Sequence, residues 1–343
     1  MNNNAIIQVE NLVKVYPGDT KAVDNITFSV AEGEFFGFLG PNGAGKSTTM
    51  KILGTLLRQT SGRAIVDGYD VIREPQKIRR IIGFAMQEVG LDDLATGRNF
   101  LVMQGLLYGM SRKEADRRAT ELLDLVSLSD VSHRKVGAYS GGMRRRIDLA
   151  GALVHNPRVL FLDEPTTGLD PQSRLAIWDH LRNLNKQGIT MFLTTQMMDE
   201  ADQLCQRIAI IDRGQIVAEG TPGSLKAEVG GDMVVISVAG ENDEERRRQE
   251  EKAQALVGER SYVDGAHIID RGLCVNVKNG GGTVPDLLKL LSDNDIVVTD
   301  LSLSSPTLDD VFLKYTGRTI RDDEASGDEY GQAMRQWMGL SRR

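Results

Sequence analysis

Glu34-Phe35-Phe36-Gly37-Phe38-Leu39 runs straight into Gly40-Pro41-Asn42-Gly43-Ala44-Gly45-Lys46-Ser47-Thr48, and this junction decides the fold. The first half is a short apolar run bounded by glycines, the pattern of a strand buried on both faces. The second half fits G-x-x-x-x-G-K-[ST], in which glycines let the backbone curl so that successive N–H groups converge on phosphate oxygens. Met50, Leu53, Leu56 and Leu57 then recur at helical spacing. A helix over 47–57, opening at about Gly45, turns its positive dipole end toward the same anion. Lys46 is placed to reach β and γ phosphates, and the Ser47 hydroxyl to take a site on Mg²⁺. A glycine turn without a ligand is the alternative; the strand before the loop and the amphipathic helix after it argue against that.

Working outward, residues 6–9 and 23–30 alternate as strands on either side of the turn residues Pro17, Gly18 and Asp19. Residues 159–162 and 189–194 are further short apolar runs, each preceded by a helix-like segment. Strands alternating with helices argue for a parallel α/β sheet. Residues 91–132 read as helical, with helices over 98–108 and 112–126; Ser111 and Glu114 fit a capping box before the second. Composition changes near Gly230-Gly231. Beyond it come a strand (233–238), a charged helix (244–257), two strands (266–269, 273–277), a helix (284–292) and a strand (296–303). The glycines at 280–282 read as a break before that last-named helix. This is the order of a small ferredoxin-like α/β unit. A final helix follows Pro306. Residues 318–343 are polar and acidic and read as a flexible tail, in which 334–340, beside Arg342 and Arg343, offer a short apolar face for a partner or lipid surface.

The chain has 343 residues, a length that suits two domains. With 26% charged and 41% apolar residues it is neither a disordered nor a fibrous chain. Lys and Arg number 41 against 48 Asp and Glu, for a net charge of −7, so the surface is not built to neutralise a phosphate backbone and no nucleic acid partner is expected. Cys205 and Cys274 make no disulfide framework and point to a reducing compartment. Met1-Asn2-Asn3-Asn4 lacks the blocks of a secretory signal. No window of about 18 consecutive apolar residues is present, so membrane work is expected to run through another polypeptide.

Val159-Leu160-Phe161-Leu162-Asp163-Glu164-Pro165 is an apolar strand ending in two carboxylates. Alone it is an ordinary solvated edge. Downstream of a phosphate loop, Asp163 becomes a candidate to hold Mg²⁺ through water, and Glu164 to polarise a water for attack on the γ-phosphate.

Tyr139-Ser140-Gly141-Gly142-Met143 precedes that strand and Gly168-Leu169-Asp170-Pro171 follows it. With the phosphate loop, this ordered set resembles the nucleotide-binding subunit of an ATP-binding cassette (ABC) transporter over about residues 5–225. The run Tyr-Ser-Gly-Gly-Met-Arg-Arg-Arg, and Leu308-Asp309-Asp310-Val311-Phe312-Leu313 near the C-terminus, are similar to the daunorubicin-resistance exporter branch. The resemblance implies a P-loop NTPase core at 5–230 with a helical subdomain at about 88–150, followed by a C-terminal regulatory or dimerisation domain at 232–316. It implies that Tyr16 stacks on adenine, the alternative being a half-buried aromatic before a turn. Gln87 would ligate Mg²⁺ and link core to helical subdomain. Ser140, Gly141 and Gly142 would face the γ-phosphate of ATP held by the opposite subunit, and Asp170 would communicate across the dimer. Where the family pattern has a histidine contacting the γ-phosphate, this chain has Gln196; His133, His155, His180 and His267 lie elsewhere in the motif order. A glutamine amide still donates a hydrogen bond but cannot become cationic.

Arg144-Arg145-Arg146 reads as a solvated helix face or a local positive field; Arg246-Arg247-Arg248, flanked by glutamates, reads as a solvated surface. The function implied is ATP hydrolysis that powers export of a hydrophobic drug or lipid through a separate membrane permease. The chain would sit peripherally on the cytoplasmic face of the cell membrane, as a homodimer with ATP and Mg²⁺ at its interface, the permease docking near Gln87 and residues 88–135. A soluble ATPase acting as a mechanical clamp on a non-membrane partner, and a non-hydrolysing regulator, are the competing readings.

Overall fold

The computed structural model describes residues 5–86, 90–269 and 272–316. They fall into two compact units, the chain dividing between Pro222 and Gly223. In the first, the chain runs through strands β1 (Ala5–Tyr16), β2 (Thr20–Ala31) and β3 (Phe35–Leu39), helix α1 (Lys46–Leu53), β4 (Ser61–Val66), β5 (Tyr69–Asp70), α2 (Pro75–Ile81) and β6 (Ile82–Ala85). Helices α3 (Gly97–Leu107), α4 (Arg112–Leu125) and α5 (Gly141–Ala152) follow. Then come β7 (Val159–Asp163), α6 (Pro171–Lys186), β8 (Thr190–Thr195), α7 (Met198–Leu204), β9 (Arg207–Asp212) and β10 (Gln215–Gly220).

Among the described residues these strands form two sheets, ordered β2-β1-β4-β5 and β10-β9-β3-β8-β7-β6. In the second, β9, β3, β8, β7 and β6 are parallel and β10 closes the edge antiparallel. Every residue of β3, β7 and β8 is buried, as runs covered on both faces require. Phe28, Phe36, Phe38, Phe161 and Phe192 pack there with ring centroids 5.4 to 6.0 Å apart. Each such ring contributes about 1.5–3 kcal/mol by leaving water. Parallel strands all deliver their carboxyl ends to one edge, where the loops after β3, β7 and β8 converge.

Helix α1 stops at Gly54 rather than running to residue 57. Leu56 N–H and Leu57 N–H turn back to Lys51 O at 2.8 and 3.1 Å, leaving Leu57 against the core and Leu56 exposed. The Ser111–Glu114 capping box is present at the start of α4.

The second unit contains most of α8 (Pro222–Val229), then β11 (Asp232–Val238), α9 (Asp243–Gly258), β12 (Val263–Ile269), β13 (Gly272–Val277), α10 (Gly280–Ser292), β14 (Val298–Ser304) and α11 (Leu308–Thr316). Its strands make an antiparallel sheet ordered β12-β13-β11-β14, the ferredoxin-like arrangement. Val234, Ile236, Leu273 and Val275 pack with Ala253 and Val257 of α9 and Leu287 and Leu291 of α10. The glycines at 280–282 are not a break: they form the first turn of α10. Asn279 caps it by accepting from Gly282 N–H at 3.1 Å, and Gly280 N–H donates to Asp232 Oδ2 at 2.7 Å. A Cβ at Gly280 would lie 2.9 Å from Asp232 Cβ and 2.2 Å from Leu303 Cδ1, so the position is crowded where the pattern suggested a loop. Arg246, Arg247 and Arg248 pair with Asp243, Glu251 and Glu244 along the exposed face of α9. The tail, 318–343, lies outside the described residues. Among the described residues no helix is long and apolar enough to cross a membrane.

Candidate functional site

The loop 40–45 is shaped by close approaches. A Cβ on Gly40 would sit 2.2 Å from Ile211 O and one on Gly45 2.3 Å from Ala22 O. Gly45 also has φ +106°, a region that glycine enters without penalty. Gly40 N–H donates to Thr195 O at 3.3 Å, tying the loop to the end of β8. Lys46, 4% exposed, turns its ammonium back along the loop and donates to Gly40 O at 2.7 Å and Pro41 O at 3.0 Å. It faces Glu164 Oε1 at 3.6 Å. Burial lowers its pKa and the charge of Glu164 opposes that.

Asp163 ends β7 in the buried layer. Its Oδ1 accepts from Ser47 Oγ at 2.9 Å and from Thr194 Oγ1 at 2.5 Å. The next residue leaves the strand sharply: Glu164 has φ +46°, uncommon for any residue but glycine. Its N–H donates to Thr194 O at 3.0 Å, and Thr167 Oγ1 donates to Oε2 at 3.3 Å. The turn sends the carboxylate toward Lys46 instead of along the strand. Gln196, half-buried, directly follows β8, which pairs with both β3 and β7. Tyr16 is 36% exposed, its hydroxyl 3.4 Å from Thr48 Oγ1 and Lys14 Nζ 5.3 Å from its ring centroid. Gln87 lies outside the described residues.

A second cluster forms at the start of α5. Ser140 is its N-cap, Oγ accepting from Met143 N–H at 3.3 Å. A Cβ on Gly142 would meet Ser173 Oγ at 2.6 Å, and one on Gly141 would touch Leu169 at 3.6 Å. The first turn of α5 therefore lies on the first turn of α6. Asp170 caps α6, Oδ1 accepting from Ser173 N–H at 3.0 Å, and this bonding to Ser173 holds its carboxyl below the usual range. Tyr139 donates to Val131 O at 2.9 Å.

The two clusters are joined by a residue whose run reads in sequence as a solvated helix face or a local positive field. Arg145 is 4% exposed. From α5 it donates to the backbone of Met86, Asp163 and Pro165. Its burial was signalled by spacing: Gly142, Arg145 and Leu149 fall at i, i+3 and i+7, on the covered stripe of α5. Arg144 pairs with Asp93, and Arg146 donates to Val126 O, so the run is three separate anchors. Sequence reasoning also missed Thr194 and Glu200. Glu200 is 1% exposed and accepts from Thr166 Oγ1 at 2.7 Å and Trp178 Nε1 at 3.2 Å, with burial raising its pKa.

Ser47 Oγ and Asp163 Oδ1 are hard oxygen donors side by side, which fits Mg²⁺: that ion takes one or two carboxylates and completes its shell with phosphate and water oxygens. Among the described residues no group of three or more His, Cys, Asp or Glu could hold an ion unaided.

Residues 23–167 match the ABC transporter family, and residues 220–316 match the C-terminal domain of DrrA1-3-like ATP-binding proteins. The chain is 43% identical to the daunorubicin resistance ATP-binding protein DrrA2 of Streptomyces coeruleorubidus, over 93% of its own length and 97% of that protein's. It is 37% identical to the linearmycin resistance ATP-binding protein LnrL of Bacillus subtilis, over 92% and 100%. Among solved structures, CbiO1 from Clostridium perfringens aligns with a TM-score of 0.61 at 28% identity, covering 66% of this chain and 92% of that one. A dimeric ATP-binding cassette in a post-hydrolysis state, bound to ADP and Pi, aligns with a TM-score of 0.58 at 30% identity, covering 63% and 98%.

Proposed function

The chain belongs to the ATP-binding proteins of ABC transporters, in their daunorubicin-resistance branch, and on that footing we propose that it powers export of a hydrophobic drug or lipid through a separate membrane permease. It is an ATPase subunit that binds nucleotide. The observation that carries the assignment of roles is the convergence of Lys46, Ser47, Asp163 and Glu164 at the carboxyl ends of β3 and β7.

Residues 40–48 wrap the phosphates, with Lys46 exchanging two carbonyl partners for β and γ oxygens. Ser47 and Asp163, with Gln87, would hold Mg²⁺, which would neutralise charge on the phosphates. Glu164 accepts a proton from the attacking water, and Gln196 donates to the γ-phosphate. Tyr16 stacks on adenine. Ser140, Gly141 and Gly142 present N–H donors at the start of α5 to ATP held by a second copy, with Asp170 at the same seam. Shared phosphate contacts hold the dimer together and hydrolysis loosens it, driving the permease docked near Gln87 and residues 88–135. The site of action is the cytoplasmic face of the cell membrane. Relatives named for drug resistance favour export over a soluble clamp.

The test is transport by membrane vesicles carrying the chain and its co-purified membrane partner. ATP-dependent movement of a hydrophobic drug that disappears with Glu164→Gln is the expected result. Turnover stimulated by RNA or ribosomes, with the chain absent from membranes, would instead support the clamp.

A further inference from the structure

We propose that Arg145 is a positioning residue for hydrolysis: from the helix that starts at Ser140 it fixes the backbone on both sides of Glu164. The inference rests on Glu164 being the base. A guanidinium presents five N–H donors in a rigid plane. Here Nε donates to Pro165 O at 2.8 Å and Nη2 to Asp163 O at 3.2 Å, the two peptide carbonyls that bracket Glu164. Nη1 donates to Met86 O and to Asp148 Oδ2 at 3.2 Å. One buried side chain thus ties α5, the end of β7 and Met86, just beyond β6, into a single assembly.

The need for such a tie is local. Glu164 stands at φ +46°, a conformation that costs free energy and persists only where the surroundings over-determine it. Its own N–H bond to Thr194 O secures one side of the turn. Arg145 secures the carbonyls before and after. Burying a guanidinium is expensive unless its donors are matched, and a solvated helix face would demand none of this. Lysine keeps the charge but gathers its three donors on one atom, so it cannot serve Asp163 O, Pro165 O, Met86 O and Asp148 Oδ2 together. None of Arg145's partners lies in residues 40–48, and it meets Asp163 at the main-chain carbonyl rather than the carboxylate, so the phosphate loop and the Ser47–Asp163 contact keep their own bonds without it. A misplacement of the attacking group by about 1 Å costs about a hundredfold in rate.

The experiment measures ATP turnover of the full chain for wild type, Arg145→Lys, Arg146→Lys, Glu164→Gln and the Arg145→Lys/Glu164→Gln pair, with thermal melting of each. Expected for Arg145→Lys are a fall in kcat of about a hundredfold, a KM for ATP within about twofold of wild type, and no further loss when Glu164→Gln is already present. Arg146→Lys, whose side chain serves Val126 O instead, keeps wild-type turnover. If Arg145→Lys does not fold, the Arg145→Gln/Asp148→Asn pair, which removes both buried charges, is read by the same criteria. Wild-type turnover in Arg145→Lys beside an inactive Glu164→Gln overturns the proposal, as does a rise in KM that accounts for the loss. Full turnover in Glu164→Gln overturns the base assignment instead.

Discussion

Lys46 is the residue whose environment states its purpose most directly: a buried ammonium held by two peptide carbonyls of its own loop and one carboxylate. Exchanging the two carbonyls for phosphate oxygens gives the ammonium anionic acceptors in place of neutral ones. Lys46→Ala is therefore expected to weaken ATP binding by about a hundredfold, read by titration with a fluorescent nucleotide. Glu164→Gln keeps the shape of the turn and removes the base. Turnover falls by about a thousandfold while ATP still binds, and sedimentation with ATP shows a persistent dimer. At Gln196 the amide has no proton to titrate. Gln196→His is expected to give the pH–rate profile an inflection at about pH 6–7 that wild type lacks; superimposable profiles would remove Gln196 from the γ-phosphate. Lys46, Ser47, Asp163 and Glu164 were legible because their motif fixes spacing, and spacing fixes geometry once strand and helix are recognised. Arg145 was not. Its neighbours in sequence are arginines, and only its register relative to Gly142 and Leu149 betrays that it faces inward.

At the scale of elements, the α5 helix carries the most consequence. Its N-cap Ser140 is exposed, while Arg145 and Asp148 face inward. Asp148 is paired with Arg145, yet burial outweighs the pair and pushes its carboxyl up to about 6. The folded state therefore binds this proton more tightly than the unfolded one, and stability falls as pH rises from about 4 to about 6. Asp148→Asn removes that dependence: its melting temperature is expected to gain on wild type across this window and then hold a constant offset above about pH 7. A constant offset from pH 4 to 8 would mean that Asp148 ionises as an exposed aspartate does. Element positions were readable wherever apolar period and cap agreed, as at Ser111 and Glu114 before α4. They were misread where tertiary packing overrides local pattern. The glycines of α10 look like a breaker, but Asn279 caps the turn they form and Gly280 is crowded by Asp232 and Leu303, and Leu56 extends a helical spacing past the point where Gly54 ends the helix.

For the whole molecule, the order of strands and helices was enough to give a parallel sheet followed by a ferredoxin-like unit, because each motif requires its own supersecondary frame. What the sequence left hidden is how residues far apart are knitted, as Met86, Asp163 and Pro165 are by one arginine. The second unit is expected to support pairing of two copies: a chain ending at residue 222 should dimerise more weakly with ATP in the Glu164→Gln background, as sedimentation would show, and an unchanged dimer would leave that unit another role. The separation of the loop residues from Ser140–Gly142 into two clusters has a genetic corollary. Were one allele defective at Lys46 and the other at Ser140, a mixed pair would concentrate both lesions in one compartment and leave the other wild-type throughout. Cells carrying the two alleles together would recover part of the drug tolerance that neither confers alone.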